Sequence, residues 1–117
     1  MNGNAQIQST MFGYEDGIMT CLLYLRQGAL GQRFGDFCLD NVPKKDEFDR
    51  QPSKLCGFCI KRILETVGVG KWEDLSGKFI RVEGDNVRII KIGHVIEDKW
   101  FEPKKEIQML LESIKNE

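Results

Sequence analysis

From Ala5 to Leu39, apolar and polar residues follow one another with a period close to two, which is the signature of extended chain. The pattern predicts strands at Ala5–Tyr14, Ile18–Arg26 and Gln32–Leu39. Asp16-Gly17 supplies the positive φ that a two-residue hairpin turn needs, and Gly28 and Gly31 mark a second turn. Asp40–Pro52 is polar and carries Pro43 and Pro52, so it reads as a loop. The period then changes. Ser53 has the chemistry of an N-cap, Cys56, Cys59, Ile60, Ile63, Leu64 and Val67 form a stripe at helical spacing, and Gly68 is suited to the position after a helix. Gly57 inside that helix suggests close packing against the sheet. A short helical turn at Lys71–Leu75 precedes strands at Lys78–Glu83 and Val87–Glu97, which flank a turn at Gly84-Asp85-Asn86. Asp98–Pro103 reads as a bend carrying Trp100 and Phe101. In the final helix, Lys104–Asn116, Ile107, Leu110, Leu111 and Ile114 fall at i, i+3, i+4 and i+7. The order βββ-α-ββ-α in 117 residues predicts one α+β domain. Its antiparallel sheet has about five strands, is curved or split, and carries the two helices.

The strand periods leave both sheet faces largely apolar. Met11, Leu22, Phe37 and Leu39 fall on one face; Phe12, Leu23, Leu25, Phe34, Cys21 and Cys38 fall on the other. A sheet with one wet face alternates more cleanly. The second face is therefore expected to be covered by the chain itself or by another subunit, and a homo-oligomer is expected. A turn centred between Ala29 and Leu30 sets Arg26 opposite Arg33 and Cys21 opposite Cys38. Like charges directly opposed on a sheet destabilise it. The two arginines either share a bound anion or stand solvated at the hairpin tip.

Composition narrows the classes. A formal net charge of −1 argues against non-specific nucleic-acid binding. No apolar run reaches the roughly 20 residues of a membrane span. The first residues lack the basic and apolar regions of a signal peptide, so a cytoplasmic setting is expected. There the four cysteines stay reduced. Cys56 and Cys59 form a lone C-x-x-C without the second ligand pair of a zinc site, and they read as packing residues. No metal and no cofactor is expected.

Catalytic readings lack parts. His94 is the only histidine, and it sits between apolar neighbours as a core or interface residue would. The carboxylates lie at turns and strand ends, Val69-Gly70-Lys71 lacks the earlier glycine of a phosphate loop, and no nucleophile has a recognisable setting. An enzyme is not expected. Binding is better supplied. Phe79 and Arg81 share a face of the fourth strand, Arg88 follows the turn, and Asn86 offers donor and acceptor atoms. Trp100 and Phe101 on their loop are either a hydrophobic plug or a stacking surface. Arginine forks suit phosphates and aromatic rings suit bases, a combination that fits a small anionic nucleotide.

Two sets of words carry a resemblance. The first half contains Gly13-Tyr14-Glu15-Asp16-Gly17, Thr20-Cys21-Leu22, Gly31-Gln32-Arg33-Phe34-Gly35 and Leu39-Asp40. The second contains Ile63–Val69, Trp72-Glu73-Asp74-Leu75, Gly77–Val82 and Ile92–Phe101. Over residues 5–103 the chain resembles small phage-encoded proteins, and among them the first class of Thoeris anti-defence proteins. The resemblance implies an oligomeric sponge that sequesters a cyclic ADP-ribose-type signal between subunits without turnover. It also implies that Arg26, Phe79 and Asn86 take the phosphate, stacking and polar roles. Lys104 stands near the place of a second basic residue, where an arginine is the family's choice, and Asp36 adds a negative charge where relatives carry glycine. The alternative is a phage-encoded inhibitor acting by direct contact with a host protein, as an anti-CRISPR or host-takeover factor does. The candidate ligand residues are thus Arg26, Arg33, Phe79, Arg81, Asn86, Trp100 and Lys104.

Overall fold

In the computed structural model, which describes residues 1–40 and 54–115, one antiparallel sheet has the strand order β3-β2-β1-β4-β5-β6. The strands are β1 (Gly3–Glu15), β2 (Ile18–Gln27), β3 (Leu30–Gly35), β4 (Phe79–Gly84), β5 (Ile89–Gly93) and β6 (Trp100–Phe101). Two helices, α1 (Lys54–Val67) and α2 (Pro103–Lys115), complete an α+β fold in the order βββ-α-ββ-α. The long β1 joins two meanders by pairing with β2 on one side and β4 on the other. The sheet curls enough that β3 also approaches β5, although three strands lie between them. Ser53 and most of the expected loop Asp40–Pro52 lie outside the described residues, as does Asn116 at the end of the last helix.

Helix α1 covers the concave face. Its expected stripe is the buried one, with Cys59, Ile63 and Val67 packed against Ile7, Leu23, Leu25, Ile80 and Ile92. Gly68 closes it with φ +90° while its N–H donates to the Leu64 carbonyl at 2.8 Å. Gly57, by contrast, is exposed, with open space where a Cβ would stand, so the close packing expected of it is absent.

The β2–β3 hairpin corrects the expected register. Tyr24 pairs with Arg33 and Arg26 with Gly31, so the turn is Gly28-Ala29, with Gly28 at φ +61°. Arg26 and Arg33 keep a common face but stand on different rungs. β3 also ends early. At Gly35 a Cβ would lie 2.3 Å from the Cys21 carbonyl oxygen, and Gly35 and Asp36 both take positive φ. The chain leaves the ladder there, so Cys38 does not face Cys21. Cys21 is buried and Cys38 is exposed. Burial on both sheet faces is confined in β2 to Thr20–Leu23.

The second meander is shorter than its apolar pattern. Asp85 Oδ1 accepts from the N–H groups of Val87 and Arg88 at 2.8 and 2.9 Å, which holds those residues in a turn and delays β5 to Ile89. His94 Nδ1 accepts from Ile96 and Glu97 at 3.0 and 2.9 Å, which ends β5 at Gly93. The expected bend then contributes the two-residue β6. Phe101 points inward and is fully buried, with Phe34 and Phe37 edge-on at 6.3 Å. Burying such a side chain stabilises the fold by roughly 1.5–3 kcal/mol.

Candidate functional site

A cleft of about 1140 Å³ opens where the sheet stops at β3. Residues 31–37 form one wall; the β4–β5 turn (residues 85–88), Ile89, Ile90 and the first two turns of α2 form the other. The Gln32 side-chain amide reaches the Asn86 carbonyl at 3.5 Å and links the two walls at one point. The lining mixes apolar and charged groups. Ile90 and Leu111 are 48% and 45% exposed and line this space, as does Ile107, which also packs partly against the core.

The charges divide by wall. On the β3 wall, Arg33 bonds Glu15 at 3.2 Å, lies 3.5 Å from Asp36 and sits 5.7 Å above the Tyr24 ring. Asp36 above all, with Glu15 adding, holds the Arg33 guanidinium above its ordinary pKa. Its charge is already answered. On the other wall, Arg88 and Lys104 form no ion pair among the described residues. Asp85, between them and the sheet in sequence, is held below the usual carboxylate range by the Arg88 and Val87 N–H groups. Its accepting oxygen is engaged within its own turn.

Three of the seven candidate residues line this cleft: Arg33, Asn86 and Lys104. The other four lie on the face of the sheet turned away from α1. Arg26, Gln6 and Phe79 occupy one rung across β2, β1 and β4. Arg26 is exposed and borders a smaller hollow of about 300 Å³ that shares Gln32 and Arg33 with the cleft. Phe79 is 57% exposed and stacks on no ring among the described residues. Arg81 and Trp100 are committed to each other. Arg81 Nε donates to the His94 carbonyl at 2.6 Å and its Nη2 to the Glu97 carbonyl at 2.7 Å, while its guanidinium lies 4.6 Å from the Trp100 ring centre. Lys91 Nζ lies 4.8 Å from the same ring, and Trp100 Nε1 donates to Asp98 at 3.0 Å. Gly93 permits the stack, since a Cβ there would come within 2.5 Å of the indole.

Arg88, which the sequence places just after the turn but which is not one of the seven candidates, also lines the cleft. The Asp85-Asn86-Val87-Arg88 run carries the only signal, a carboxylate able to cap the N–H groups two and three residues on and so to turn Arg88 out of the strand. Among the described residues no group of histidine, cysteine and carboxylate side chains could hold a metal ion, and no helix is long and apolar enough to cross a membrane. Cys21 and Cys59 are packing groups: burial pushes their thiols up to about 12, far from a reactive thiolate. Comparison with protein-family models, curated proteins and solved structures finds no match to this chain.

Proposed function

We propose that the protein binds a small anionic nucleotide of the cyclic ADP-ribose type in the cleft between β3, the β4–β5 turn and α2, and holds it without chemical change. The observation that carries this reading is that Arg88 and Lys104, which form no ion pair among the described residues, meet the partly exposed apolar residues Ile90, Ile107 and Leu111 in one cleft of about 1140 Å³. Binding sites for small molecules combine an apolar lining with a few placed polar groups in this way. The cations meet phosphate, Ile107 and Leu111 offer a face for a base or sugar, and Asn86 adds donor and acceptor atoms. A sponge that counters nucleotide signalling in a phage-infected cell is the role that fits, as the sequence resemblance implies. The test is direct: incubate the protein with cyclic ADP-ribose isomers, remove free ligand, heat, and analyse what is released. Intact nucleotide is the expected result. An altered product makes the protein an enzyme, and no captured nucleotide overturns the reading.

A second reading rests on a different surface. Arg26 and Phe79 stand exposed on one rung of the uncovered sheet face, where a flat protein surface meets them more readily than a small molecule does. That face is the place for contact with a second copy of the chain, or with a host protein if the molecule acts as a direct inhibitor.

A further inference from the structure

The two walls of the cleft differ in charge and in hydrogen-bonding sense, and that difference orients a ligand. On the β3 wall, Arg33 is paired with Glu15 and Asp36, so the net contribution of that wall is acceptor oxygen. Gln32 adds to it: its Oε1 is buried and has no hydrogen-bond partner among the described residues. A buried acceptor without a donor is costly and is rare in native structures. On the opposite wall, Arg88 and Lys104 supply donors and positive charge; among the described residues neither forms an ion pair, and the Asp85 carboxylate beside Arg88 has its Oδ1 engaged by the Val87 and Arg88 N–H groups. A plain polyanion would gain from the second wall and be repelled by Asp36 on the first.

We infer that Asp36 is a specificity residue of the cleft: it selects ligands that carry hydrogen-bond donors, such as a ribose diol or an exocyclic amine, at one end and phosphate at the other, and rejects bare phosphates. Phosphate faces Arg88 and Lys104, and the donor-bearing end faces Asp36. The inference rests on the nucleotide reading of the cleft and adds to it the direction of binding and the basis of discrimination. Specificity is a difference of affinities, and a repelling group contributes to it as much as an attracting one.

The test compares cyclic ADP-ribose with inorganic pyrophosphate by calorimetry on the wild-type protein, Asp36→Asn and Arg88→Ala. Asparagine is the right replacement because Asp36 has φ +65°, a conformation asparagine tolerates well. An unchanged thermal midpoint verifies the fold. In Asp36→Asn, pyrophosphate binding tightens while the preference for cyclic ADP-ribose over pyrophosphate falls by at least ~10-fold, equivalent to ~1.4 kcal/mol. Arg88→Ala weakens both ligands by similar factors. If Asp36→Asn shifts both affinities equally, or neither, the inference is overturned while the nucleotide reading stands. If wild-type protein takes up neither ligand, both are overturned.

Discussion

Replacing Arg81 by alanine separates a structural arginine from a ligand arginine. Arg81 has a partly buried bond to the His94 carbonyl at 2.6 Å, an exposed one to the Glu97 carbonyl at 2.7 Å and a stack on Trp100 at 4.6 Å. Hydrogen bonds involving a charged group contribute ~1.5–3 kcal/mol, and a cation over an exposed ring ~0.5–1 kcal/mol. Solvent competes for the Glu97 bond, so the partly buried bond and the stack dominate, and the expected loss is about 2 kcal/mol. In a domain of 117 residues that lowers the thermal midpoint by roughly 8 °C. Urea unfolding followed by tryptophan fluorescence reads the change, because one of the two tryptophans is Trp100 itself. Arg81→Lys keeps the charge but not the two-pronged donor, and should recover less than half of the loss. Arg88→Ala is the control, since Arg88 is exposed with no ion pair among the described residues, and its stability should stay within ~0.5 kcal/mol of wild type. An Arg81→Ala variant that unfolds at the wild-type midpoint and instead loses nucleotide binding would make Arg81 a ligand arginine.

The remaining expectations follow from the same contacts. Gly93→Ala forces a methyl into the Trp100 ring, and chemical denaturation should show a loss of ~1–3 kcal/mol, the usual cost of overpacking. In the native protein Ellman's reagent should modify Cys38 quickly and Cys21 and Cys59 only after urea is added, because only the first is exposed. Their thiols need about pH 12 to ionise in the folded chain against 9.0 in the unfolded one, so stability should be flat below pH 9 and fall progressively from there towards pH 12. A pH titration of the urea midpoint showing no alkaline decline would contradict this. Finally, Lys104→Ala should weaken cyclic ADP-ribose binding at least ~10-fold, the scale of one lost charge-assisted bond, while Arg26→Ala changes it by less than ~2-fold in calorimetry.

Local signals in the sequence carried most of the architecture. Gly68 ends α1 where its positive φ is needed, and the stripe from Cys56 to Val67 is the face that packs. The failures have a common cause, which is that side-chain period does not report where a ladder stops. Gly28 and Gly31 both suit a turn, and the choice between the two centres moves every partner by two residues without changing any side chain's face. Asp85 and His94 shorten β5 by capping N–H groups with their own side chains, a local competition that apolar periodicity cannot see. Trp100 and Arg81 are candidate ligand residues because aromatic rings stack on bases and arginine forks suit phosphate. Whether they are instead spent on each other depends on β4, β5 and β6 lying side by side. The cleft was still less legible, since its walls come from segments about fifty residues apart, bridged by the Gln32–Asn86 hydrogen bond.

The candidate residues therefore belong to two surfaces, and this bears on the choice between a small ligand and a protein partner. A six-residue strand at the edge of a sheet invites pairing with another chain. Here α2 and the β4–β5 turn stand beside that edge and leave a space bounded on both sides, which is better suited to a compact ligand than to a flat surface. The rung of Arg26, Gln6 and Phe79 has no such walls. Arg33 sits between the two and is paired to carboxylates, so it transmits little charge to either. Substitutions at well-separated sites without shared partners act independently. Changes at Arg88 or Lys104 should then alter nucleotide capture alone, and changes at Arg26 or Phe79 should alter association with a second copy or a host protein alone. If Phe79→Ala abolishes nucleotide capture together with self-association, the ligand site spans two subunits and the single-chain cleft is only part of it.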